Sequence, residues 1–409
     1  MIKKSNLDFK ELNLSLYFLA FFLVFIGLTA LNSISQQYDE KFLSSPFIKQ
    51  ILLLIPSFIF SLLVLGIPKS QIHKYVYHFY FIGIILVVLP FFFEKHAGTH
   101  RWLHVGLPFM IQPSEFAKLF TILALARYLS DHNLQMKKFK SIIFPIIIAI
   151  IPTGIVMNQP DLGTSIVILA PVIPMLYWSG ANSFYLFLII APFLSMLTVF
   201  HNVAFSMWAL ILAITIILSR TPLIYSILLF FSNIFLGLLS PVLWGMLSKY
   251  QQNRIITFFN PDKDPLGAAY HIIQSKTAIG SGGLFGKGWG EGTQTHLKFL
   301  PVQESDFILS VLSEELGFIC ILLLLSIVGI LIHTIIRNSF LSKDRFSSLV
   351  LIGIATIFLS HVFVNTAMTV GLIPVKGLPF PFVSAGGSFL FSSFLMLGLA
   401  INLSSNYSE

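Results

Sequence analysis

Long apolar runs separated by short polar segments occupy most of the chain. The runs lack the strict alternation of polar and apolar positions that marks the strands of a membrane barrel. Helices are expected instead, because every backbone group in lipid needs a partner within its own segment. The runs span residues 14–33, 47–67, 75–93, 114–130, 141–157, 163–178, 183–200, 203–218, 223–247, 307–335, 347–372 and 386–404. Since a crossing helix needs about 20 such residues, the pattern predicts an all-α polytopic membrane protein with about 10–12 transmembrane helices.

One polar segment, residues 248–306, is far longer than the other connections. It is rich in Gly and in basic residues, but it also carries large apolar side chains such as Phe258, Leu284 and Trp289. A long loop in a compact protein is usually functional or disordered, and this apolar content argues against disorder. We therefore expect the segment to be ordered and to contribute to function.

The composition narrows the class of protein. Charged residues make up 10% of the 409 residues, and apolar residues make up 56%, with a mean hydropathy of +0.86. Ordinary soluble domains contain about 25% charged residues. Too little charge is present to cover a soluble surface, which excludes a soluble enzyme and a disordered chain. The single cysteine, Cys320, excludes an intramolecular disulfide.

The net charge of +8, from 25 basic and 17 acidic residues, would suit a nucleic-acid binder if the basic residues formed one patch. They concentrate instead in alternate short connections, such as those around Lys69, Lys137 and Lys343. Basic residues in short loops mark the cytoplasmic side. Both termini are therefore predicted to be cytoplasmic and residues 248–306 to form a large extracytoplasmic loop. The expected partner of this charge is anionic membrane lipid, not nucleic acid.

Asp306 is the first candidate for chemistry, because ionisable residues in or beside a span are costly and usually functional. It stands at the junction between the long polar segment and the next span, with Glu304 two residues before it. The position fits a functional carboxylate. It also fits an N-cap that accepts backbone NH bonds at the start of the following helix. The spacing alone leaves both open.

Three further ionisable residues, Glu115, Lys118 and Asp161, lie near the starts of two short spans. Glu115 and Lys118 are separated by three positions and therefore share one helical face. Lys118 paired with either Glu115 or Asp161 would neutralise a buried cation. Such an ion pair could lock two helices together or serve a functional site.

Several weaker features have a structural and a functional interpretation. The glycines between 280 and 290 suit tight turns, but their backbone NH groups could also hold a phosphate. Asp262 and Asp264 could bind a metal, although the prolines beside them make them typical turn residues. Trp102 could be an anchor at the membrane interface. The histidines have no metal-ligand spacing of the HExxH kind.

Four sequence blocks, taken together and in order, resemble the SEDS family of bacterial peptidoglycan polymerases. They are residues 98–102 with 112–118, residues 159–164, residues 260–317 and residues 371–388. The first contains Gln-Pro-Ser-Glu, the second Gln-Pro-Asp-Leu-Gly-Thr and the last Gly-Gly-Ser. The Gly-Lys-Gly-Trp stretch at 286–289 is similar to the RodA-like branch of the family, whereas Lys376 resembles the FtsW-like branch. The RodA-like assignment is the first choice.

The resemblance implies a glycosyltransferase that polymerises lipid II into glycan strands for cell elongation and rod shape. It would form β-1,4 linkages and release undecaprenyl diphosphate. The family's essential acidic residue falls on Asp306, which would act as a general base. A divalent cation, Mg or Mn, could assist the carboxylate or the leaving diphosphate. The implied substrate-binding residues are Arg101, Trp102, Gln274, Ser275 and Lys287.

The family also implies a cellular setting. The expected location is the bacterial cytoplasmic (inner) membrane. The expected partners are a class B penicillin-binding protein, which is a transpeptidase, and other membrane proteins of the elongation complex. Three alternatives stay open at this point: a division-type polymerase, a flippase or transporter for lipid II, and a non-catalytic scaffold.

The sequence departs from the family pattern at several positions. Glu304 stands where the family usually has His, and Ala385 replaces a usual Tyr. A second carboxylate at position 304 would favour the protonated form of Asp306 or help to hold a metal, which makes Glu304 a candidate modulator. Three apolar runs stand where the family has one span. They predict a two-helix insertion within 183–247 of a single membrane domain, 1–409.

Overall fold

The computed structural model describes residues 14–36, 45–94, 99–104, 110–131, 140–219, 222–246, 249–259, 267, 269–297 and 299–404. Over these residues the chain is built from α-helices. They are α1 (Ser15–Ser35), α2 (Pro46–Leu65), α3 (Lys69–Val88), α4 (Pro113–Asp131), α5 (Lys140–Asn158), α6 (Leu162–Leu169), α7 (Val172–Trp178), α8 (Ser183–Thr198), α9 (Asn202–Leu218), α10 (Leu223–Leu238), α11 (Ser240–Met246), α12 (Lys249–Phe259), α13 (Tyr270–Gly282), α14 (Thr293–His296), α15 (Ile308–Leu341), α16 (Arg345–Thr369) and α17 (Gly387–Ser404).

All twelve apolar runs coincide with helices. Within the described residues, eight helical segments are long and apolar enough to cross a membrane, which confirms an all-α polytopic membrane protein. The other runs fall short for identifiable reasons. α4 carries several charged residues, and three segments are short: α8, α9 and the segment formed by α6 and α7, which covers the run 163–178. Pro171 lies between α6 and α7 and lacks a backbone NH. The total of 10–12 spans stays a prediction.

The centre of the molecule is formed by α16 and α17. In these helices 72% and 78% of the most apolar stretch is buried, against 22% in α2 and α3. α17 packs on α2, and α16 packs on α15 and α4. Residues that begin or end these central helices are therefore held by several neighbours at once.

α8, α9 and α10 form a small bundle with its own apolar core. That core contains Ala191, Trp208, Leu212 and Ile216, and Trp208 Nε1 donates a hydrogen bond to Ser195 Oγ (2.8 Å). α8 also packs against α7, which connects the bundle to the rest of the protein. The two-helix insertion within this region stays a prediction.

The long polar segment contains α12, α13 and α14, and α13 packs along α15. Its Gly-rich turns follow α13 and bond to α15 through backbone groups. Gly283 and Leu284 accept from Phe318 and Ile319 (3.0 and 3.2 Å), and the Lys287 NH donates to the Glu314 carbonyl (2.9 Å). These glycines therefore serve close backbone packing, as the turn interpretation predicts. The side of the membrane on which the segment lies stays a prediction.

Candidate functional site

The four motif blocks meet around residues 371–386, which we call the α16–α17 connection. Gln112 in the first block donates its backbone NH to Ser388 Oγ (2.9 Å), just beyond the connection. Ser384 Oγ donates to the backbone carbonyl of Ser305 in the third block (2.5 Å). These two bonds join residues that are 276 and 79 positions apart in the sequence.

The second block reaches the same place through Gly163. A Cβ on Gly163 would stand 2.7 Å from the Lys376 carbonyl oxygen, so only glycine permits this approach. The next residue in the connection, Gly377, is exposed and lies opposite Asp306. A Cβ on Gly377 would stand 3.2 Å from Asp306 Oδ2, and its φ of +65° also favours glycine. The Asp306 carboxylate therefore lies where the second, third and fourth blocks come together.

Asp306 occupies the turn immediately before α15 and is half-buried. Its backbone NH donates to the Val302 carbonyl (3.1 Å), and its Oδ1 accepts from Ser305 Oγ (3.0 Å). α15 begins at Ile308, and its N-cap is Phe307, with no side-chain cap bond. The N-cap position of α15 therefore belongs to Phe307, and Asp306 precedes it by one residue.

Arg101 and Asp161 face each other at the start of α6. Asp161 is the N-cap of α6: its Oδ1 accepts from the Thr164 NH (3.1 Å), and its Oδ2 accepts from Gln112 Nε2 (3.1 Å). Arg101 Nη1 lies 4.0 Å from Asp161 Oδ1, and Arg101 Nε donates to the Gln159 carbonyl (3.2 Å). The Arg101 side chain is 30% exposed, against 5% for Asp161. The guanidinium is thus oriented by the protein and accessible to an anionic ligand.

Lys118 is fully buried between α4 and α16. Its Nζ lies 2.6 Å from Glu115 Oε2 and 2.9 Å from His361 Nε2. Of the two acidic partners that the sequence allows, the structure selects Glu115. An ammonium has only donor protons, so His361 Nε2 accepts and His361 Nδ1 carries the proton that is donated to the Pro379 carbonyl (3.0 Å). The ion pair therefore supports the α16–α17 connection through His361.

Lys287 is bound to Glu314 in the first turns of α15. Its Nζ lies 2.8 Å from Glu314 Oε1 and 2.8 Å from Thr293 Oγ1. Glu314 is fully buried and also accepts from the backbone NH groups of Gln294 and Thr295 (3.0 and 3.1 Å). This cluster fastens the Gly-rich turns and α14 to α15. The Lys287 side chain is 27% exposed, so part of it faces the surroundings.

The remaining substrate-binding candidates have different surroundings. Ser275 is fully buried, and its hydroxyl bonds Ser310 Oγ and the Thr369 carbonyl, both at 2.7 Å. It joins α13, α15 and α16 and has no exposed surface in this conformation. Gln274 and Trp102 are half-buried and keep part of their surface accessible. The binding roles of all three stay predictions.

Glu304 is half-buried and contacts the α16–α17 connection through its backbone. Its carbonyl accepts from the Ala385 NH (2.8 Å). Two of the positions at which the sequence departs from the expected pattern, 304 and 385, are therefore direct neighbours. The effect of the Glu304 carboxylate on Asp306 stays a prediction.

A divalent cation would have few protein ligands here. Among the residues that the structure describes, no group of three or more His, Cys, Asp or Glu is arranged to hold a metal ion. Asp262 and Asp264 lie outside the described residues. Asp306 and Glu304 offer two carboxylates on one turn, whereas Mg²⁺ takes about six oxygen ligands, often including phosphate oxygens. A cation at this site would therefore depend on a phosphorylated ligand.

Sequence reasoning assigned no role to His361 or Asn365, which both contact the α16–α17 connection. A signal was present, because they are polar residues four positions apart within an apolar run and so share one face of the helix. Polar residues buried within a span usually have a partner or a function. Their partners, however, lie in other segments and cannot be read from the local sequence.

Sequence comparison gives one consistent result. A family model named FTSW_RODA_SPOVE and described as "Cell cycle protein" matches residues 13–211 and 204–409. The peptidoglycan glycosyltransferase MrdB of Escherichia coli K12 is 36% identical over 349 residues, which cover 84% of this chain and 82% of MrdB. The peptidoglycan glycosyltransferase RodA of Treponema pallidum is 31% identical, with 92% and 94% of the two chains covered. A probable FtsW of Trichlorobacter lovleyi is 32% identical, with 78% and 72% covered.

Comparison with solved structures shows the same fold. A chain from a peptidoglycan synthase complex, described for its coordination of polymerization and crosslinking, superposes with a TM-score of 0.71 at 22% identity over 96% of this chain and 97% of that chain. The rod shape determining protein RodA of Thermus thermophilus superposes with a TM-score of 0.63 at 22% identity over 96% of both chains.

Proposed function

The chain belongs to the FtsW, RodA and SpoVE family of cell cycle proteins, and we propose that it is a peptidoglycan glycosyltransferase that polymerises lipid II. Its similarity to MrdB and RodA enzymes supports the activity and favours the elongation role. The observation that carries the proposal is the position of Asp306, whose carboxylate faces Gly377 where three motif blocks meet.

The reaction needs a base, and Asp306 is suited to that role. A sugar hydroxyl of the acceptor attacks the anomeric carbon of the donor, and the new C–O bond forms as the bond to the diphosphate oxygen breaks. The hydroxyl proton passes to the Asp306 carboxylate, and undecaprenyl diphosphate leaves with the bonding electrons. A positioned general base of this kind contributes about 10²–10⁴-fold to the rate.

The leaving diphosphate needs positive charge, and Arg101 is the best placed of the predicted residues to provide it. Its guanidinium donates to the Gln159 and Pro160 carbonyls and lies 4.0 Å from Asp161, yet the side chain is 30% exposed. A guanidinium can bind two phosphate oxygens at once. Lys287 is a weaker candidate because its ion pair with Glu314 is closer, at 2.8 Å, than the 4.0 Å between Arg101 and Asp161. A Mg or Mn ion bound with the diphosphate would supply the same kind of stabilisation.

The cellular setting follows from the family and from the charge pattern. The protein is a multi-pass protein of the bacterial inner membrane, and both of its termini are proposed to be cytoplasmic. Residues 248–306 then lie outside, on the side where lipid II is polymerised. The proposed partners are a class B penicillin-binding protein, other elongation-complex membrane proteins and anionic lipid.

Two assays on the same purified protein, one in detergent and one in vesicles, separate the polymerase from the flippase alternative. Purified protein, with a class B penicillin-binding protein, is supplied with labelled lipid II in detergent, and glycan chains are resolved by size. We expect chains that lengthen with time. If no glycan chains form but labelled lipid crosses the bilayer of reconstituted vesicles, a flippase is favoured. If neither chain formation nor lipid transfer is detected, a scaffold is favoured.

A further inference from the structure

Asn365 lies where α16 meets both Asp306 and the α16–α17 connection. The residue is fully buried, and its Nδ2 donates to two backbone carbonyls, those of Asp306 (3.0 Å) and Leu378 (2.7 Å). A side-chain amide nitrogen carries two protons, so each carbonyl receives one of them. One side chain thereby joins the proposed base to the segment that faces it.

These two bonds hold together the groups on either side of the Asp306 carboxylate. Leu378 follows Gly377, whose Cβ position would stand 3.2 Å from Asp306 Oδ2. Holding the Leu378 and Asp306 carbonyls on one amide therefore restricts the movement of the two backbone segments on either side of the carboxylate. A second bond, from Ser384 Oγ to the Ser305 carbonyl, holds the peptide group that precedes Asp306, whereas Asn365 holds the carbonyl that follows it.

The helix that presents Asn365 is itself firmly held. His361 lies one turn earlier on the same face of α16, and its Nδ1 donates to the Pro379 carbonyl (3.0 Å). The adjacent carbonyls of Leu378 and Pro379 are therefore bonded by side chains on adjacent turns of α16. His361 in turn contacts the buried Lys118 at 2.9 Å. A fixed helix face that carries two polar side chains is the arrangement expected of a support for a reactive group.

We propose that Asn365 is a positioning residue that sets the backbone of Asp306 and so aims its carboxylate at the acceptor hydroxyl. It acts through Asp306, and the inference therefore rests on the proposed role of Asp306 as the base. Displacement of a reacting group by about 1 Å can cost on the order of 10²-fold in rate. Loss of the Asn365 bonds should accordingly lower kcat and leave binding of lipid II intact.

The chain provides a matched control in Asn402 on α17. Asn402 is also buried, and its Nδ2 also donates to backbone carbonyls, those of Val64, Leu65 and Ile67 (3.0, 3.0 and 2.9 Å). Asn402→Leu removes the same kind of group from a central helix, but it acts on residues that do not contact Asp306. A loss of activity caused only by weaker folding would appear in both variants.

The test measures kcat and KM for lipid II polymerisation by the full-length protein, with thermal unfolding recorded for each variant. Asn365→Leu should lower kcat by roughly 10- to 100-fold with KM changed by less than about twofold. Asn365→Asp has nearly the same shape but offers at most one proton, so it should show an intermediate kcat. If Asn365→Leu does not fold, the kcat of Asn365→Asp tests the positioning role. Asn402→Leu should keep the wild-type kcat.

Asp306→Ala in the same assay separates the proposed role of Asp306 as the base from the proposed role of Asn365 as a positioning residue. If Asp306→Ala retains the wild-type kcat, the general-base role fails, and the positioning role fails with it. If Asp306→Ala is inactive while the Asn365 variants match Asn402→Leu, or change only KM, the positioning role alone is overturned.

Discussion

At the scale of single residues, Lys118 shows how the fold accommodates a charge in its core. Its side chain is fully buried, and three groups surround the ammonium: Glu115 at 2.6 Å, His361 at 2.9 Å and the Phe389 ring, whose centroid lies 5.3 Å away. A buried cation is costly unless it is paired and hydrogen-bonded, and the face of an aromatic ring adds attraction. The burial of Lys118 thus depends on all three neighbours.

Removal of the Lys118 charge alone should therefore lower the unfolding free energy more than removal of the Lys118 and Glu115 charges together. Lys118→Met leaves the Glu115 carboxylate buried without its counter-ion, and we expect a loss of roughly 3–5 kcal/mol in unfolding free energy. Thermal unfolding in detergent would show this as a lowered Tm. The double variant Glu115→Gln with Lys118→Met should recover part of the loss. A single variant as stable as the wild type would contradict this assignment.

Glu304 offers a prediction about pH. If its negative charge disfavours the ionised form of Asp306, Glu304→Gln makes that form easier to reach, and the acidic limb of the pH–rate profile moves to lower pH. The measurement is the initial polymerisation rate across the acidic range. Glu291→Gln, an exposed acid of the same polar segment, serves as the control and should not move the limb. A Glu304→Gln profile identical to the wild type would remove the modulator role.

At the scale of elements, the interruption of α15 at Gly317 shapes the surroundings of the site. Gly317 has a φ of +80°, and a Cβ there would overlap Gly286 and Leu284 in the Gly-rich turns. The kink lets the backbone of those turns bond to α15 on both sides of it. The same turns carry Lys287, which binds Glu314 one turn before the kink.

Gly317→Ala should therefore disrupt the packing of the turns on α15 and lower both stability and polymerisation. The reason is twofold, since alanine disfavours this φ and its methyl group has no room. Gly329→Ala is the control within the same helix, because a Cβ there meets nothing within 4 Å. That variant should be neutral or slightly stabilising. Equal Tm values for the two variants would show that the close approach at Gly317 is not needed.

The elements were more predictable than the contacts between them. Apolar runs reveal helices because a span must satisfy its backbone internally, so all twelve runs proved helical. The sequence left open the partner of Lys118 and the cap role of Asp306. The first depends on how separate segments pack, and the second depends on the residue at which α15 begins. Asn365 was missed for the same reason: its bonds to Asp306 and Leu378 cross between separate segments.

At the scale of the whole molecule, the proposed orientation assigns a purpose to the long polar segment. The segment ends at Asp306, so the base and the basic residues of residues 248–306 share one side of the membrane if the topology is correct. The basic residues of the short connections then face anionic lipid on the other side. The membrane orientation of the chain thus determines the side of the membrane on which the proposed reaction takes place.

Labelling of single cysteines tests that orientation. In a Cys320→Ser background, Glu291→Cys lies in the long segment and Ser70→Cys lies at the start of α3, and both positions are exposed. A membrane-impermeant maleimide applied to intact cells, or to spheroplasts if an outer membrane is present, should label position 291 and spare position 70 until the inner membrane is opened. Labelling of position 70 alone would reverse the topology.

In the proposed mechanism, Asp306 performs chemistry and does not merely begin a helix. The chain contains a natural comparison in Asp344, which does cap a helix: its carboxylate accepts from the backbone NH groups of Phe346 and Ser347 (3.3 and 2.9 Å). Asp344→Ala should cost about 1 kcal/mol of stability and leave the reaction untouched.

The most direct test is the initial rate of glycan chain formation from labelled lipid II by the wild type, Asp306→Ala and Asp344→Ala, each purified with the same partner transpeptidase. We predict that Asp306→Ala lowers the rate by about 10²–10⁴-fold without a change in Tm, while Asp344→Ala lowers Tm and keeps the rate. Glycan chains produced by Asp306→Ala as fast as by Asp344→Ala would contradict the proposed mechanism.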